Sequence, residues 1–146
     1  MALEQSKQPF HGSEPARILI ADDEPRLLAS LANLLRGRGF EVTEANGGKQ
    51  ACEQLAGKAF DLALLDLNMP DTDGFAVMER IASQQPDCGV VVVSGEGSFG
   101  TVSRALRRGA LDYIRKPFDP EELLTTVEGV LGKQSLIKAH EMIQTR

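Results

Sequence analysis

Five short apolar runs alternate along the chain with five stretches whose leucines, alanines and valines recur at helical spacing. Ala16 to Asp22 reads as a strand with apolar residues on both faces. Leu27, Leu28, Leu31, Leu34 and Leu35 then repeat as one side of a helix. Pro25 suits its first turn, and Gly37 and Gly39 end it. Phe40 to Ala45 is a short strand. Gly47 to Gly57 is a short helix with Ala51 and Leu55 inward. Phe60 to Asp66 carries the central run Leu62–Leu65, and its two-sided apolarity fits the interior of a parallel sheet. Phe75, Met78 and Ile81 mark a helix reaching about Gln85, before Pro86. Val90 to Val93 is the most strongly β-prone run. A helix over Thr101 to Arg108 has Val102, Ala105 and Leu106 on its apolar side, and Leu111 to Arg115 is the last strand. Asp119 as N-cap, Pro120 at the first helical position and acids in the first turn open a final helix. Its buried stripe is Leu123, Leu124, Val127, Val130 and Leu131. Strict strand–helix alternation predicts an α/β fold, a five-stranded parallel sheet wound on both faces.

Composition narrows the class. The chain has 146 residues, 42% of them hydrophobic and 25% charged, which suits one soluble domain with a single core. No stretch approaches about 18 consecutive apolar residues, so no membrane span is expected. Residues 1–15 lack the apolar region of a signal peptide and read as a disordered tail outside the fold. Residues 16–132 form the domain. Residues 133–146 are open to two readings, a helical linker extension with Leu136, His140 and Ile143 on one side, or a frayed tail. Cys52 and Cys88 stand alone, with no metal-binding spacing, which points to a reducing, cytoplasmic setting and to simple burial. A net charge of -5 argues against nucleic-acid binding by the surface as a whole.

The chemistry concentrates at one end of each predicted strand. The first strand ends in Asp22-Asp23, the third in Asp66, the fourth in Ser94 and the fifth in Lys116. A parallel sheet gathers all of these at its carboxyl edge, where open α/β sheets bind ligands. Three carboxylates there repel one another and call for a cation, and all-oxygen ligands suit Mg²⁺. Lys116 offers a point charge for an anion and Ser94 a hydroxyl donor. Acids, hydroxyl and lysine together describe phosphoryl transfer.

From Ala16 to Gly132 the sequence resembles the receiver domain of bacterial two-component response regulators. The resemblance rests on DDE at Asp22, DLNMPDTDG at Asp66, VSG at Ser94 and YIRKPF at Tyr113. It implies a flavodoxin-like fold with strand order 2-1-3-4-5. It implies Asp66 as phosphoacceptor and Mg²⁺ ligand, Asp23 as a direct Mg²⁺ ligand, Asp22 as a ligand through water and Asn68 as a ligand through its carbonyl. Lys116 would pair with phosphoryl oxygens, with the peptide before Pro117 held cis. Ser94 and Tyr113 would be the switch residues, and Asn68 and Glu96 would orient the water that removes the phosphoryl group. The implied partners are a sensor histidine kinase or phosphotransfer protein and an output domain or downstream protein, with room for a homodimer and no role for nucleic acid or membrane. Catalysis would be limited to the domain's own phosphorylation and dephosphorylation.

Other readings compete with this one. GEGSFG, Gly95 to Gly100, matches the dinucleotide pattern GxGxxG, but it follows the fourth strand and lacks the downstream acid. As a plain loop, its glycines would allow unusual backbone angles. A flavodoxin-like electron carrier would need a phosphate-cradling loop where Asp22-Asp23-Glu24 stands. A phosphorylation-independent interaction module of the same fold would be expected to lack an acid or the lysine. The segment from Ser98 to Lys116 is basic through Arg104, Arg107, Arg108 and Arg115, and reads either as a solvated face or as an output or dimer surface.

Overall fold

The computed structural model describes residues 14–144; residues 1–13 of the tail expected over residues 1–15, and residues 145 and 146, lie outside the described residues. Five strands are laid down in the order the apolar runs predict: β1 (Arg17–Ala21), β2 (Glu41–Ala45), β3 (Leu62–Leu65), β4 (Gly89–Ser94) and β5 (Asp112–Arg115). Between and after them run α1 (Pro25–Arg36), α2 (Gly48–Gly57), α3 (Gly74–Gln84), α4 (Phe99–Arg107) and α5 (Pro120–Gln144). All neighbouring strands pair in parallel in the order β2-β1-β3-β4-β5.

Period-two alternation divides the core into two layers. Ile18, Ile20, Leu62, Leu64, Val91, Val93 and Ile114 point to one face and pack with Leu28, Leu31 and Leu35 of α1 and Leu123, Val127 and Leu131 of α5. Leu19, Ala21, Ala63, Leu65, Val90 and Val92 point to the other face, against Leu55 of α2, Val77 and Ile81 of α3 and Ala105 of α4. Because β1 and β3 are covered on both sides, their residues are apolar at every position from Ile18 to Ala21 and from Leu62 to Leu65.

The structure differs from the sequence expectation at two places, α4 and the GEGSFG loop. Helix α4 begins at Phe99, two residues before Thr101, because the Ser98 side chain accepts the Thr101 N–H as an N-cap. Its apolar side is largely uncovered: Ala105 is its buried residue, while Leu106 is 46% and Phe99 87% exposed. Positive φ occurs at Gly39, Gly47 and Gly109, not at the glycines of the GEGSFG loop. Over residues 133–144, for which a helical extension is one of two expectations, α5 runs on past the core to Gln144 and leaves Leu136 and Ile137 exposed.

Candidate functional site

Strand register decides which polar residues meet. Ala21 pairs with Leu65 across β1 and β3, so Asp22 and Asp66, one residue later on each, emerge together. Ser94 closes β4 opposite Arg115, which places Lys116 just beyond the same edge. Asp22, Asp66 and Ser94 are the buried polar or charged residues of the described chain, at 2%, 5% and 0% exposure. Carboxylate oxygens of Asp22, Asp23 and Asp66 all lie within 4.8 Å of one another.

Lys116 holds the centre. Its Nζ donates to Asp22 Oδ2 at 2.9 Å, to Asp66 Oδ2 at 3.1 Å and to Glu24 Oε2 at 3.1 Å. Burial works against the ammonium, but the hydrogen bonds to Asp22 and Glu24 and the charges of Asp22 and Asp66 outweigh it, so its pKa stands above the usual lysine value. Burial also pushes the Asp22 carboxyl above its ordinary value. The Lys116 and Glu24 N–H hydrogen bonds pull it back, and the nearby Asp66 charge adds to the rise. The peptide between Lys116 and Pro117 is cis.

Local hydrogen bonds fix the acids. The Glu24 N–H donates to Asp22 Oδ1 at 2.9 Å, and the Asn68 N–H donates to Asp66 Oδ1 at 3.2 Å. The Asn68 side chain is exposed, in the loop between β3 and α3. Gly74 packs beneath this loop so closely that a methyl group there would sit 2.5 Å from the Asp66 carbonyl oxygen. Two further contacts escape the sequence pattern. The Asp71 carboxylate accepts the Gly48 and Lys49 N–H groups at 3.0 and 2.9 Å, capping α2 from a different loop. Glu24 joins the Lys116 cluster from the start of α1. The acidic run DDE places Glu24 close to the site in sequence, whereas nothing in sequence says that residues 47–49 meet residues 71–72.

On the other side of the site, Ser94 Oγ accepts the Glu96 N–H at 3.2 Å, which leaves its own proton for another acceptor. The half-buried Tyr113 ring packs against the core layer under α2, α3 and α4, and its hydroxyl donates to the Glu96 carbonyl. Burial raises the Tyr113 pKa; a hydrogen bond with Ser94 opposes this, and the Glu96 and Asp66 charges add to it. Gly97 does not have a positive φ; a methyl group there would meet the Arg115 Nε at 2.5 Å, a contact that the exposed arginine side chain can swing away from. Helix α4 is fastened to α3 by the Arg104 guanidinium, 3.9 Å above the Phe75 ring centroid. All the residues expected at the carboxyl edge are therefore gathered there, in two groups: Asp22, Asp23, Asp66, Asn68 and Lys116 around the acids, and Ser94, Glu96 and Tyr113 around the β4–α4 loop.

Such an arrangement neutralises three clustered acids with one lysine and leaves a charge deficit that a divalent cation with oxygen ligands fits. Comparison with known proteins agrees. The family model for the response regulator receiver domain matches residues 18–128. The chain is 39% identical over 122 residues to the transcriptional regulatory protein ZraR of Escherichia coli O157:H7, covering 84% of this chain and 28% of ZraR. A CheY-like response regulator receiver domain protein from Methanospirillum hungatei is 31% identical with a TM-score of 0.80, over 83% of this chain and 97% of that one. The structure of NtrX from Brucella abortus, in complex with ADP, is 32% identical with a TM-score of 0.82, over 90% of this chain and 30% of that one. The chain thus spans under a third of the length of ZraR and NtrX. Among the described residues no helix is long and apolar enough to cross a membrane. With its strand order, its carboxyl-edge acids and this match over most of its length, the chain belongs to the receiver domain family of two-component response regulators.

Proposed function

We propose that Asp66 is the phosphoacceptor of this receiver domain. The observation that carries the reading is the Lys116 ammonium bridging Asp22 and Asp66, with Asp23 in the same cluster. A lone pair on an Asp66 oxygen attacks the donor's phosphorus. The P–N bond of a phosphohistidine breaks, its electron pair stays with the imidazole nitrogen, and an acyl phosphate remains on Asp66. Asp23 would hold Mg²⁺ directly, Asp22 through a water and Asn68 through its backbone carbonyl. When bound, Mg²⁺ supplies charge neutralisation at the phosphoryl oxygens. Lys116 supplies a second positive charge, and the Ser94 hydroxyl a hydrogen bond. Catalysis by this domain is confined to gaining and losing its own phosphoryl group, with Asn68 and Glu96 orienting the water that removes it.

The phosphodonor is a cytoplasmic sensor histidine kinase or phosphotransfer protein. A groove of about 760 Å³ beside Lys116, walled by Leu27, Leu31, Leu34 and Phe118, gives such a partner an apolar seat next to the acceptor. The signal leaves through Ser94 and Tyr113, which both bond to Glu96 and so link the acceptor to the start of α4. Exposed Phe99, Leu106 and Leu111 offer a surface there for an output module or a second copy. The name of ZraR favours transcriptional control as the output. A phosphorylation-independent module and an electron carrier are both disfavoured by the intact acid–lysine cluster, which suits phosphoryl transfer and repels a nucleotide phosphate.

Incubation with acetyl phosphate and Mg²⁺, read by mass spectrometry, tests the assignment. One phosphoryl group is expected on the wild type and none on Asp66→Asn, because an amide is a far poorer nucleophile. Labelling that persists in Asp66→Asn overturns it.

A further inference from the structure

An ammonium has three N–H donors. In this site all three are given to carboxylates: Asp22, Asp66 and Glu24. A phosphoryl oxygen that is to pair with Lys116 must therefore displace one of them. The three acceptors are not equally held. Asp22 is 2% exposed as a side chain and also accepts the Glu24 N–H. Asp66 is 6% exposed as a side chain and is itself the group that carries the phosphoryl. The Glu24 side chain is 60% exposed and makes no capping bond to α1, although Glu24 occupies the N-cap position.

We infer that Glu24 is a positioning residue that occupies the Lys116 donor used by the phosphoryl group, and yields it when that group arrives. The inference rests on the proposed phosphoacceptor role of Asp66. Glu24 keeps the lysine extended over the acids while the site is unphosphorylated. It also puts a negative charge at the mouth of the site, on the side of the groove beside Lys116. Both effects oppose the incoming anion, the first by competition and the second by repulsion. An exposed ion pair is a weak competitor. Its removal therefore tunes occupancy without abolishing chemistry, and the effect is screened by salt.

Glu24→Gln keeps the shape and removes the charge. With Mg²⁺ and beryllofluoride as the phosphoryl mimic, Glu24→Gln is expected to bind roughly two- to fivefold tighter than the wild type at low salt, by calorimetry. The gain should shrink at about 1 M salt. With acetyl phosphate, the half-saturating donor concentration should fall by a similar factor, while the maximal rate stays within about twofold. A purely structural role would not divide the two constants in this way. Asp66→Asn, run alongside, separates the two claims. If Asp66→Asn still labels, the acceptor assignment itself fails. If it does not label, and Glu24→Gln binds beryllofluoride no tighter than the wild type or needs more Mg²⁺, then Glu24 does not compete and the inference falls alone.

Discussion

The rim of the site has two halves built to different standards. The half that carries the acids, between β1 and α1 and between β3 and α3, is tied at nearly every residue. Asp22 and Asp66 each accept a backbone N–H, Asp73 caps α3, Asp71 caps α2, and Gly74 lies against the Asp66 carbonyl with no room for a methyl group. Helix α1 behind it buries Leu28, Leu31, Ala32 and Leu35. The half that carries Ser94 and Glu96 leads into α4, which buries Ala105 and meets α3 through Arg104 above Phe75 and, at its C-cap, Arg108 beside Glu79. Under the proposed function the contrast has a logic. Metal ligands and an attacking oxygen must be held to fractions of an ångström, because positioning does most of the catalysis in phosphoryl transfer. An element that reports the event must instead have two arrangements close in energy, since a ligand shifts an equilibrium only by its differential affinity for the two states.

The sharpest way to test this division is to cut the same side chain from each half. Leu35, at 0% exposure on α1, is expected to cost about 2–5 kcal/mol as Leu35→Ala, the usual range for a buried leucine. Leu106, at 46% exposure on α4, should cost no more than about 0.5 kcal/mol as Leu106→Ala. Urea unfolding of the two variants measures both. Similar losses would mean that α4 is as firmly packed as α1 and that the division is false.

A gentler cut adds one methyl group to each half. Gly74→Ala forces it to 2.5 Å from the Asp66 carbonyl oxygen and 2.8 Å from the Leu67 Cα. Backbone on both sides cannot yield cheaply, so a loss of about 1–3 kcal/mol is expected, with slower labelling of Asp66. Gly100, within α4, has no heavy atom within 4 Å of the corresponding position. Gly100→Ala should therefore be about 0.5–1 kcal/mol more stable, through the reduced freedom of the unfolded chain, with labelling unchanged. Thermal melts and acetyl phosphate labelling check both signs; a harmless Gly74→Ala would show that the acceptor loop can shift.

The tied half was the more legible in sequence, and for a physical reason. Leu62–Leu65 and the Leu repeat from Leu27 to Leu35 state their burial by period, and the acids end strands whose order follows from alternation. The Asp119 cap and the β-prone Val90–Val93 run declare themselves equally locally, and the first is matched by the Glu121 N–H on Asp119 Oδ1. The other half was misread where neighbours decide. Val102 and Leu106 look like a buried stripe, yet the short α4 meets the sheet mainly through Ala105. Gly97 looks like a residue chosen for φ, yet its φ is not positive, and what lies against it is the Arg115 side chain. The Asp71 cap is hidden for the same reason: it joins segments 22 or 23 residues apart in the chain, whereas the DDE run at least brings Glu24 near the site that Lys116 reaches from 92 residues away.

The smallest expected effect concerns how the tied half is joined to its neighbour. Asp71 accepts two N–H groups at the start of α2, where Gly47 has a φ of +132° and a methyl group on Gly48 would lie 2.5 Å from the Thr72 Cβ. The Lys49 N–H, ahead of opposing desolvation and with help from the Gly48 N–H, holds the Asp71 carboxyl below its ordinary value of 3.8. A carboxyl whose pKa is lowered on folding contributes stability that is complete above its unfolded value and is lost as pH falls through its folded value. The contribution of Asp71 should therefore be whole at neutral pH and fade only below pH 3.8. Asp71→Asn keeps an acceptor but loses the charge that favours a helix N-terminus. Its melting temperature should lie slightly below the wild type at pH 7, and the gap should close as the pH drops towards 2. Hydrogen exchange adds the local view: the Gly48 and Lys49 amides should lose protection in the variant at neutral pH while the amides of β3 keep theirs. If the gap between the two proteins is the same at low and neutral pH, the Asp71 charge is not what joins α2 to the acceptor loop.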